Sequence, residues 1–260
     1  MDEEIEFGGK QTTKAQAVAS VTNSLIDEVI NHCHRQRGIG DYFDVAIVGY
    51  GGEESTQLMG ADFMTISQLH KMETPLSTET ITMRLPNGEV VECSVKRRCW
   101  IAPRSKGQTP MGDALRTAKR LAQSWCRLNP NSFPPLVINI TDGEATDATS
   151  EQLLDLAEQL KATSTNDGNT LLFNIHICAE HDTPSSVLQF PSTSDPLPDT
   201  PYTQLLWKMA SPLPAVFDSS IIELRGHAAA PPFRAVCYNC SANQLPALLN
   251  IGTISIEQMI

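Results

Sequence analysis

Two short stretches of this sequence carry oxygen atoms of the kind that bind divalent metal ions. The first covers residues 109–115, where Thr109 supplies a hydroxyl just before an amphipathic pattern typical of a helix. The second covers residues 138–144, where an apolar strand ends in the carboxylate of Asp142 and then turns sharply at Gly143. A hydroxyl and a carboxylate at the carboxyl-terminal edge of a parallel sheet are hard ligands, suited to Mg²⁺ or Mn²⁺. We therefore predict a metal site formed by Thr109 and Asp142.

The elements around these two residues must bring them to the same edge of a sheet. Thr109 has the residue type of a helix N-cap, and Pro110 then suits the first helical position. Asp142 follows the predicted buried strand 136–141. Ligands in open α/β sheets gather at the carboxyl ends of the strands, next to the helix N-termini that follow them. The inner face of the predicted helix contains Met111, Leu115, Ala118, Ala122 and Trp125.

The rest of the chain alternates between predicted strands and helices. A capping box at Thr13 and Gln16 opens a helix over residues 13–33, and Thr149 and Gln152 open another over residues 150–162. Apolar runs predict buried strands over 44–50, 136–141 and 171–179, a short helix over 202–210, an edge strand over 220–224 and a helical segment near 245–249. Residues 79–100 contain an Asn-Gly pair between β-rich runs, which predicts an antiparallel hairpin. The fold class is therefore α/β, an open and mostly parallel sheet with helices on both faces and a hairpin excursion.

Composition limits the possible functions. The chain has 260 residues and 41% hydrophobic residues, which is normal for a single α/β domain over residues 1–260. A net charge of −11 argues against a nucleic-acid partner, and no run of about 18 apolar residues predicts a membrane span. The acidic amino terminus does not have the pattern of a signal peptide. Seven scattered cysteines suit free thiols in a reducing cytoplasm, so we expect a cytoplasmic protein.

The two metal-ligand stretches, in this order, resemble the von Willebrand factor A (vWA) domain and its metal-ion-dependent adhesion site. The residues around the helix at 14–17, the strand at 43–52 and the closing stretch at 249–253 are also similar to that family, so the resemblance covers nearly the whole chain. It is similar to bacterial stand-alone vWA proteins, some of which resemble tellurium-resistance and stress-associated proteins. The resemblance implies a Rossmann-like fold in which Thr109 and Asp142 coordinate one divalent ion.

One part of the family pattern is missing from this sequence. The family places an Asp-x-Ser-x-Ser loop after a central first strand, usually followed by Met, and here Met1 stands where that Met would be. Either preceding sequence supplies the strand or the protein lacks it, and the cost of exposing two long sheet edges favours the first interpretation. If the strand is lacking, we expect strands 44–50 and 136–141 to pair directly, to borrow a strand from a partner or a second copy, or to leave the protein poorly soluble.

The resemblance implies a non-enzymatic module that binds a partner protein, whose Asp or Glu fills an open coordination position on the ion. Two alternatives remain open, a Mg²⁺-dependent hydrolase that uses the same edge and a degenerate scaffold with no ion at all. No nucleophile, base and orienting group can be assembled from the motifs, so we expect no enzymatic activity and no small-molecule substrate. Cys237 and Cys240 have metal-ligand spacing but no second pair, so we interpret them, like His176 and Cys178, as packing residues.

Overall fold

The structure is a computed structural model, and it describes residues 1–7, 10–35, 38–84, 90–103, 107–177, 187–226, 228–241 and 244–249. The strands, in chain order, are β1 (Glu4–Phe7), β2 (Lys10–Thr13), β3 (His34–Arg35), β4 (Gly38–Ile39), β5 (Asp44–Val45), β6 (Val48–Tyr50), β7 (Ser55–Gln57), β8 (Met64–Thr65), β9 (Leu76–Arg84), β10 (Val90–Arg98), β11 (Leu136–Thr141), β12 (Ser164–Thr165), β13 (Gly168–Asn169), β14 (Leu171–Ile177), β15 (Leu188–Gln189) and β16 (Val236–Cys240). The helices are α1 (Lys14–His32), α2 (Ile66–Lys71), α3 (Met111–Leu128), α4 (Ser150–Lys161), α5 (Pro201–Met209) and α6 (Asp218–Arg225), with a 3-10 turn at Ala215–Phe217.

The largest sheet among the described residues has four strands in the order β11-β14-β16-β15. The first three strands run parallel, and β15 runs antiparallel to β16 at the far edge. The sheet is thus mixed, and the other strands form two-stranded pairs. The α/β class predicted from the sequence is confirmed at this level, while the finer vWA-like arrangement stays a prediction.

Alternate residues of β14 face two different apolar clusters. Leu172 is fully buried in a cluster with residues of α3, α4 and α5. Phe173 and Ile175 belong to a second cluster that includes residues of α1 and α6. The period-two alternation of a strand places these two sets on opposite faces of the sheet, so helices cover β14 on both sides.

The capping boxes predicted from the sequence are confirmed. At the start of α1, Thr13 accepts from the backbone N–H of Gln16, whose side chain accepts in return from the N–H of Thr13. Thr149 and Gln152 do the same at the start of α4. Each box satisfies backbone donors that a helix leaves without partners in its first turn.

Two other strand predictions are partly or wholly wrong. The apolar run 44–50 is divided into β5 and β6, which pair antiparallel with β8 and β7 instead of joining the four-stranded sheet. Residues 220–224, predicted as an edge strand, lie within α6, because Ile221 packs into the core on one face and Gly226, at φ 92°, ends the helix. The hairpin over residues 79–100 is confirmed as β9 paired with β10, and its Asn-Gly turn lies outside the described residues.

Candidate functional site

The loop before α3 and the loop after β11 are joined by backbone bonds at one end of the sheet. The N–H of Thr109 donates to the Thr146 hydroxyl at 3.0 Å, and the N–H of Thr146 donates to the Thr109 carbonyl oxygen at 3.0 Å. Thr146 belongs to the loop that begins with Asp142, directly after β11 ends at Thr141. The structure therefore brings both predicted metal ligands to the carboxyl end of β11, which we call the rim.

The predicted capping role of Thr109 is wrong. Helix α3 begins at Met111, and its N-cap is Pro110, which makes no side-chain cap bond. The cap comes from the loop after β11, where the Asp147 carboxylate accepts from the N–H groups of Gly112 at 2.9 Å and Asp113 at 2.8 Å. A carboxylate at a helix N-terminus satisfies orphan donors and also lies at the favourable end of the helix dipole. Sequence spacing gave no signal for this cap, because it crosses from one loop to another.

A second carboxylate, that of Asp113 in the first turn of α3, binds Ser55, the first residue of β7. Asp113 Oδ2 accepts from the backbone N–H of Ser55 at 2.8 Å and from its hydroxyl at 2.6 Å. These two bonds hold the pKa of the Asp113 carboxyl below its ordinary value. Both Asp113 and Asp147 are thus committed to holding the rim together.

The side chains of the two predicted metal ligands, in contrast, make no hydrogen bond to α3 or to the loops of the rim among the described residues. Asp142 has a side-chain exposure of 15%, and its carboxylate accepts from the amino group of Met1. Thr109 is held by its backbone on both sides, and within the described residues its hydroxyl makes no hydrogen bond.

The side chains at the rim could offer a divalent ion two protein ligands, the Asp142 carboxylate and the Thr109 hydroxyl. Mg²⁺ is commonly held by one or two carboxylates and keeps several of its waters, so Asp142 and Thr109 could hold it with water in the other positions. No group of three or more His, Cys, Asp or Glu side chains with metal-binding arrangement occurs in the described part of the chain. Such an ion would supply positive charge at the rim, where a carboxylate from another molecule could reach it.

Two tyrosines, which sequence reasoning missed, border the rim. The Tyr202 hydroxyl donates to the carbonyl oxygen of Gly143 at 2.6 Å, and burial raises the pKa of its phenol to about 12. The Tyr50 hydroxyl oxygen lies 2.6 Å from Asn139 Oδ1 and 2.7 Å from the Ile140 carbonyl oxygen, and burial raises the pKa of this phenol too. Both phenols are therefore neutral at pH 7 and act as hydrogen-bond donors that fix the end of β11.

The other residues considered as metal ligands in the sequence analysis are Cys237, Cys240, His176 and Cys178. Cys237 and Cys240 are buried in the core, where burial raises the pKa of the Cys237 thiol well above its ordinary value. A buried, protonated thiol is a poor nucleophile and a poor metal ligand, in agreement with a packing role. His176 Nδ1 lies 3.1 Å from Asn239 Oδ1. Cys178 lies outside the described residues.

A large cavity lies directly below the rim, between β6 and β11. Its volume is about 1080 Å³, and its wall contains residues of both strands and of α1 and α3, together with residues within the ranges 41–47, 63–69, 101–103 and 131–135. Interiors of folded proteins normally contain few voids larger than a water molecule. Direct pairing of strands 44–50 and 136–141, one of the arrangements expected from the sequence, does not occur, because β6 and β11 do not pair among the described residues.

No protein-family model matches this sequence, and no curated protein and no solved structure matches it either. No helix among the described residues has both the length and the apolarity needed to cross a membrane.

Proposed function

We propose that this chain is a non-enzymatic protein-interaction module of the vWA type, which binds an acidic side chain of a partner protein through Mg²⁺ or Mn²⁺ at the rim. The observation that carries the proposal is a difference between the side-chain oxygens at the rim in the hydrogen bonds that they make. Asp113 and Asp147 accept hydrogen bonds from backbone donors of the fold, whereas, among the described residues, the Asp142 carboxylate accepts only from the amino group of Met1 and the Thr109 hydroxyl makes no hydrogen bond.

Rigid support is what a weak, two-ligand metal site needs. A site that must first organise its ligands loses part of its binding free energy to ordering them. Here the Thr109–Thr146 bonds and the Asp147 cap fix the two loops against each other before any ion arrives. Water would fill the other coordination positions, and a partner's Asp or Glu would replace one of those waters.

The test is calorimetric titration of the protein with MnCl₂ and MgCl₂. We expect Asp142→Asn to abolish binding, because it removes the charged member of the proposed ligand pair while keeping the size of the side chain. Thr109→Val should weaken binding by a smaller factor, since a neutral hydroxyl contributes less than a carboxylate. Asp155→Asn is the matched control, because Asp155 is an exposed carboxylate on α4 that bonds only Gln159 among the described residues.

A second test supplies the carboxylate of the proposed partner. A short peptide with a single Asp should then bind in the presence of Mn²⁺ and not in the presence of EDTA. Equal Mn²⁺ binding by the wild-type and Asp142→Asn proteins would show that the ion does not bind at the rim, and no binding by the wild type would leave a metal-free scaffold as the better description.

A further inference from the structure

Two exposed histidines, His34 and His70, lie side by side near the carboxyl end of α1. The centres of their rings are 5.5 Å apart, and the ring planes are almost perpendicular, at 82°. Both residues are exposed to solvent. We name them the histidine pair. We propose that the histidine pair binds one divalent transition-metal ion of the group Zn²⁺, Ni²⁺ and Cu²⁺, with one nitrogen of each ring as a ligand and water in the other positions.

The distance between the rings suits coordination of a single ion by both. Zn–N bonds are about 2.0–2.1 Å long, so an ion in the plane of each ring lies about 3 Å from either ring centre, and at a tetrahedral angle the two centres are about 5 Å apart. The observed separation is 5.5 Å. A small rotation of the two exposed side chains therefore suffices. The angle between the ring planes is no obstacle, because each ring needs only to direct one nitrogen lone pair at the ion.

The residue before each histidine anchors its backbone in the same apolar cluster. Cys33 is 1% exposed and Leu69 is 0% exposed, and both belong to the cluster that includes Ile30 of α1. His34 and His70 directly follow these two buried residues, so their backbones are fixed while their rings are exposed. A pair of ligands that is already held close together loses less binding free energy to ordering when the ion arrives.

Backbone hydrogen bonds hold both histidines further. His34 lies in β3, which pairs with β4, and the N–H of Gly40 donates to the Cys33 carbonyl oxygen at 3.0 Å. At the end of α2, the guanidinium of Arg98 donates to the carbonyl oxygen of His70 at 2.8 Å. Two elements that are distant in sequence thus carry one ring each, and an ion between the rings would join α2 to β3.

The chemistry of the two ligands determines which ions the histidine pair selects. Imidazole suits Zn²⁺, Cu²⁺ and Ni²⁺, whereas Mg²⁺ and Mn²⁺ prefer oxygen ligands, so this site is distinct from the rim and does not depend on the function proposed there. In the part of the chain that the structure describes, no third His, Cys, Asp or Glu completes a metal-binding group with the pair. We therefore expect the affinities to follow the intrinsic order for these ions, with Cu²⁺ bound most tightly and Mg²⁺ not bound.

The test is calorimetric titration with ZnCl₂ in the presence of excess MgCl₂, which occupies sites made of oxygen ligands. We expect His34→Asn and His70→Asn each to weaken Zn²⁺ binding at least tenfold. The double variant should bind no more weakly than either single variant, because the loss of one ring already ends chelation. His32→Asn is the matched control, since His32 is also an exposed histidine, two residues before His34, and should bind Zn²⁺ as the wild type does. All three side chains are exposed, so these substitutions should leave the fold intact.

Nuclear magnetic resonance spectroscopy then locates the ion. Zn²⁺ should shift the imidazole signals of His34 and His70 over the same range of concentration and leave those of His32 unchanged. In the His34→Asn protein, the signals of His70 should no longer shift in that range, because a single ring is a much weaker ligand than the pair.

Absence of Zn²⁺ binding by the wild-type protein at millimolar concentration would overturn the proposal. Wild-type affinity in either single variant would overturn it too, and so would separate, additive losses for His34 and His70, since two independent rings do not chelate. An equal loss in His32→Asn would place the ion elsewhere. Asp142→Asn should leave Zn²⁺ binding unchanged, and a loss in that variant would assign the binding to the rim instead of the histidine pair.

Discussion

Strands β14 and β11 are neighbours with similar apolar sequences, yet their surroundings differ. Strand β14 pairs on both edges, and its residues Leu172, Ile175 and Ile177 are at most 1% exposed. Strand β11 pairs on one edge only among the described residues, and its apolar residues Leu136, Val137, Ile138 and Ile140 are all partly exposed. A strand with an apolar sequence on both faces is fully buried only when both of its edges have neighbours.

The two sides of the molecule differ in how their strands are joined to the four-stranded sheet. On the closed side, from β14 to β16, continuous ladders and packed apolar side chains join the elements. On the open side, residues 44–65 pack against α1 in a separate apolar cluster that includes Met59, and they reach α3 and β11 through single side-chain bonds, such as those of Tyr50, Asp113 and Trp125. Single bonds of this kind contribute about 0.5–1.5 kcal/mol each, so the open side should be the less stable of the two.

Hydrogen exchange should show the largest contrast. We expect the amides of β14 to exchange only through global unfolding, which typically costs about 5–15 kcal/mol. Within β11, the amides of Val137, Asn139 and Thr141 should be protected, whereas those of Leu136, Ile138 and Ile140 should exchange several orders of magnitude faster. Hydrogen exchange followed by NMR measures the rate at each residue of the two strands. Uniform protection along β11 would mean that its outer edge is covered in solution.

Truncation of matched isoleucines should show the next largest effect. Ile175→Ala in β14 removes a fully buried side chain and should lower the free energy of unfolding by about 2–5 kcal/mol. Ile138→Ala in β11 removes a side chain that already borders a cavity, so the loss should be about 1 kcal/mol. Urea denaturation followed by circular dichroism gives both values, and similar losses at the two positions would contradict the distinction between the sides.

Loss of the α3 cap should have a smaller effect. Asp147→Ala leaves the N–H groups of Gly112 and Asp113 without their acceptor and should cost about 1 kcal/mol. Asp155→Ala removes an exposed carboxylate of similar size and should change stability by less than about 0.5 kcal/mol. If both variants unfold at the same urea concentration, the bond between the two loops does not stabilise the rim.

The smallest effect should be a pH dependence from Asp113. Its pKa is lowered in the folded protein from the ordinary value of 3.8 by the two bonds from Ser55. The stabilisation is therefore complete above about pH 4–5 and is lost as the pH falls through the lowered pKa. Ser55→Ala removes one of the bonds, so it should destabilise the protein at pH 7 and have less effect at pH 3. The same loss at both pH values would show that the Asp113 charge is not involved.

The sequence alone determined those features that depend on neighbouring residues. The capping boxes of α1 and α4 were predicted because each joins residues three positions apart, and the hairpin of β9 and β10 because its turn lies between its strands. The strands β11 and β14 followed from their apolar runs. The position of Asp142 at the rim follows in turn from the end of β11.

Tertiary structure decided the features that join distant parts of the chain. Asp147 caps α3 across a gap of 34 residues and more, and the Tyr50 hydroxyl meets Ile140 across 90, so no local pattern predicts either contact. The apolar run 44–50 has the composition of a buried central strand but forms two short strands, β5 and β6. Composition indicates how much burial a segment favours, and it does not determine which strands the segment pairs with. Strand pairing is a long-range property, so the composition of one segment does not decide it.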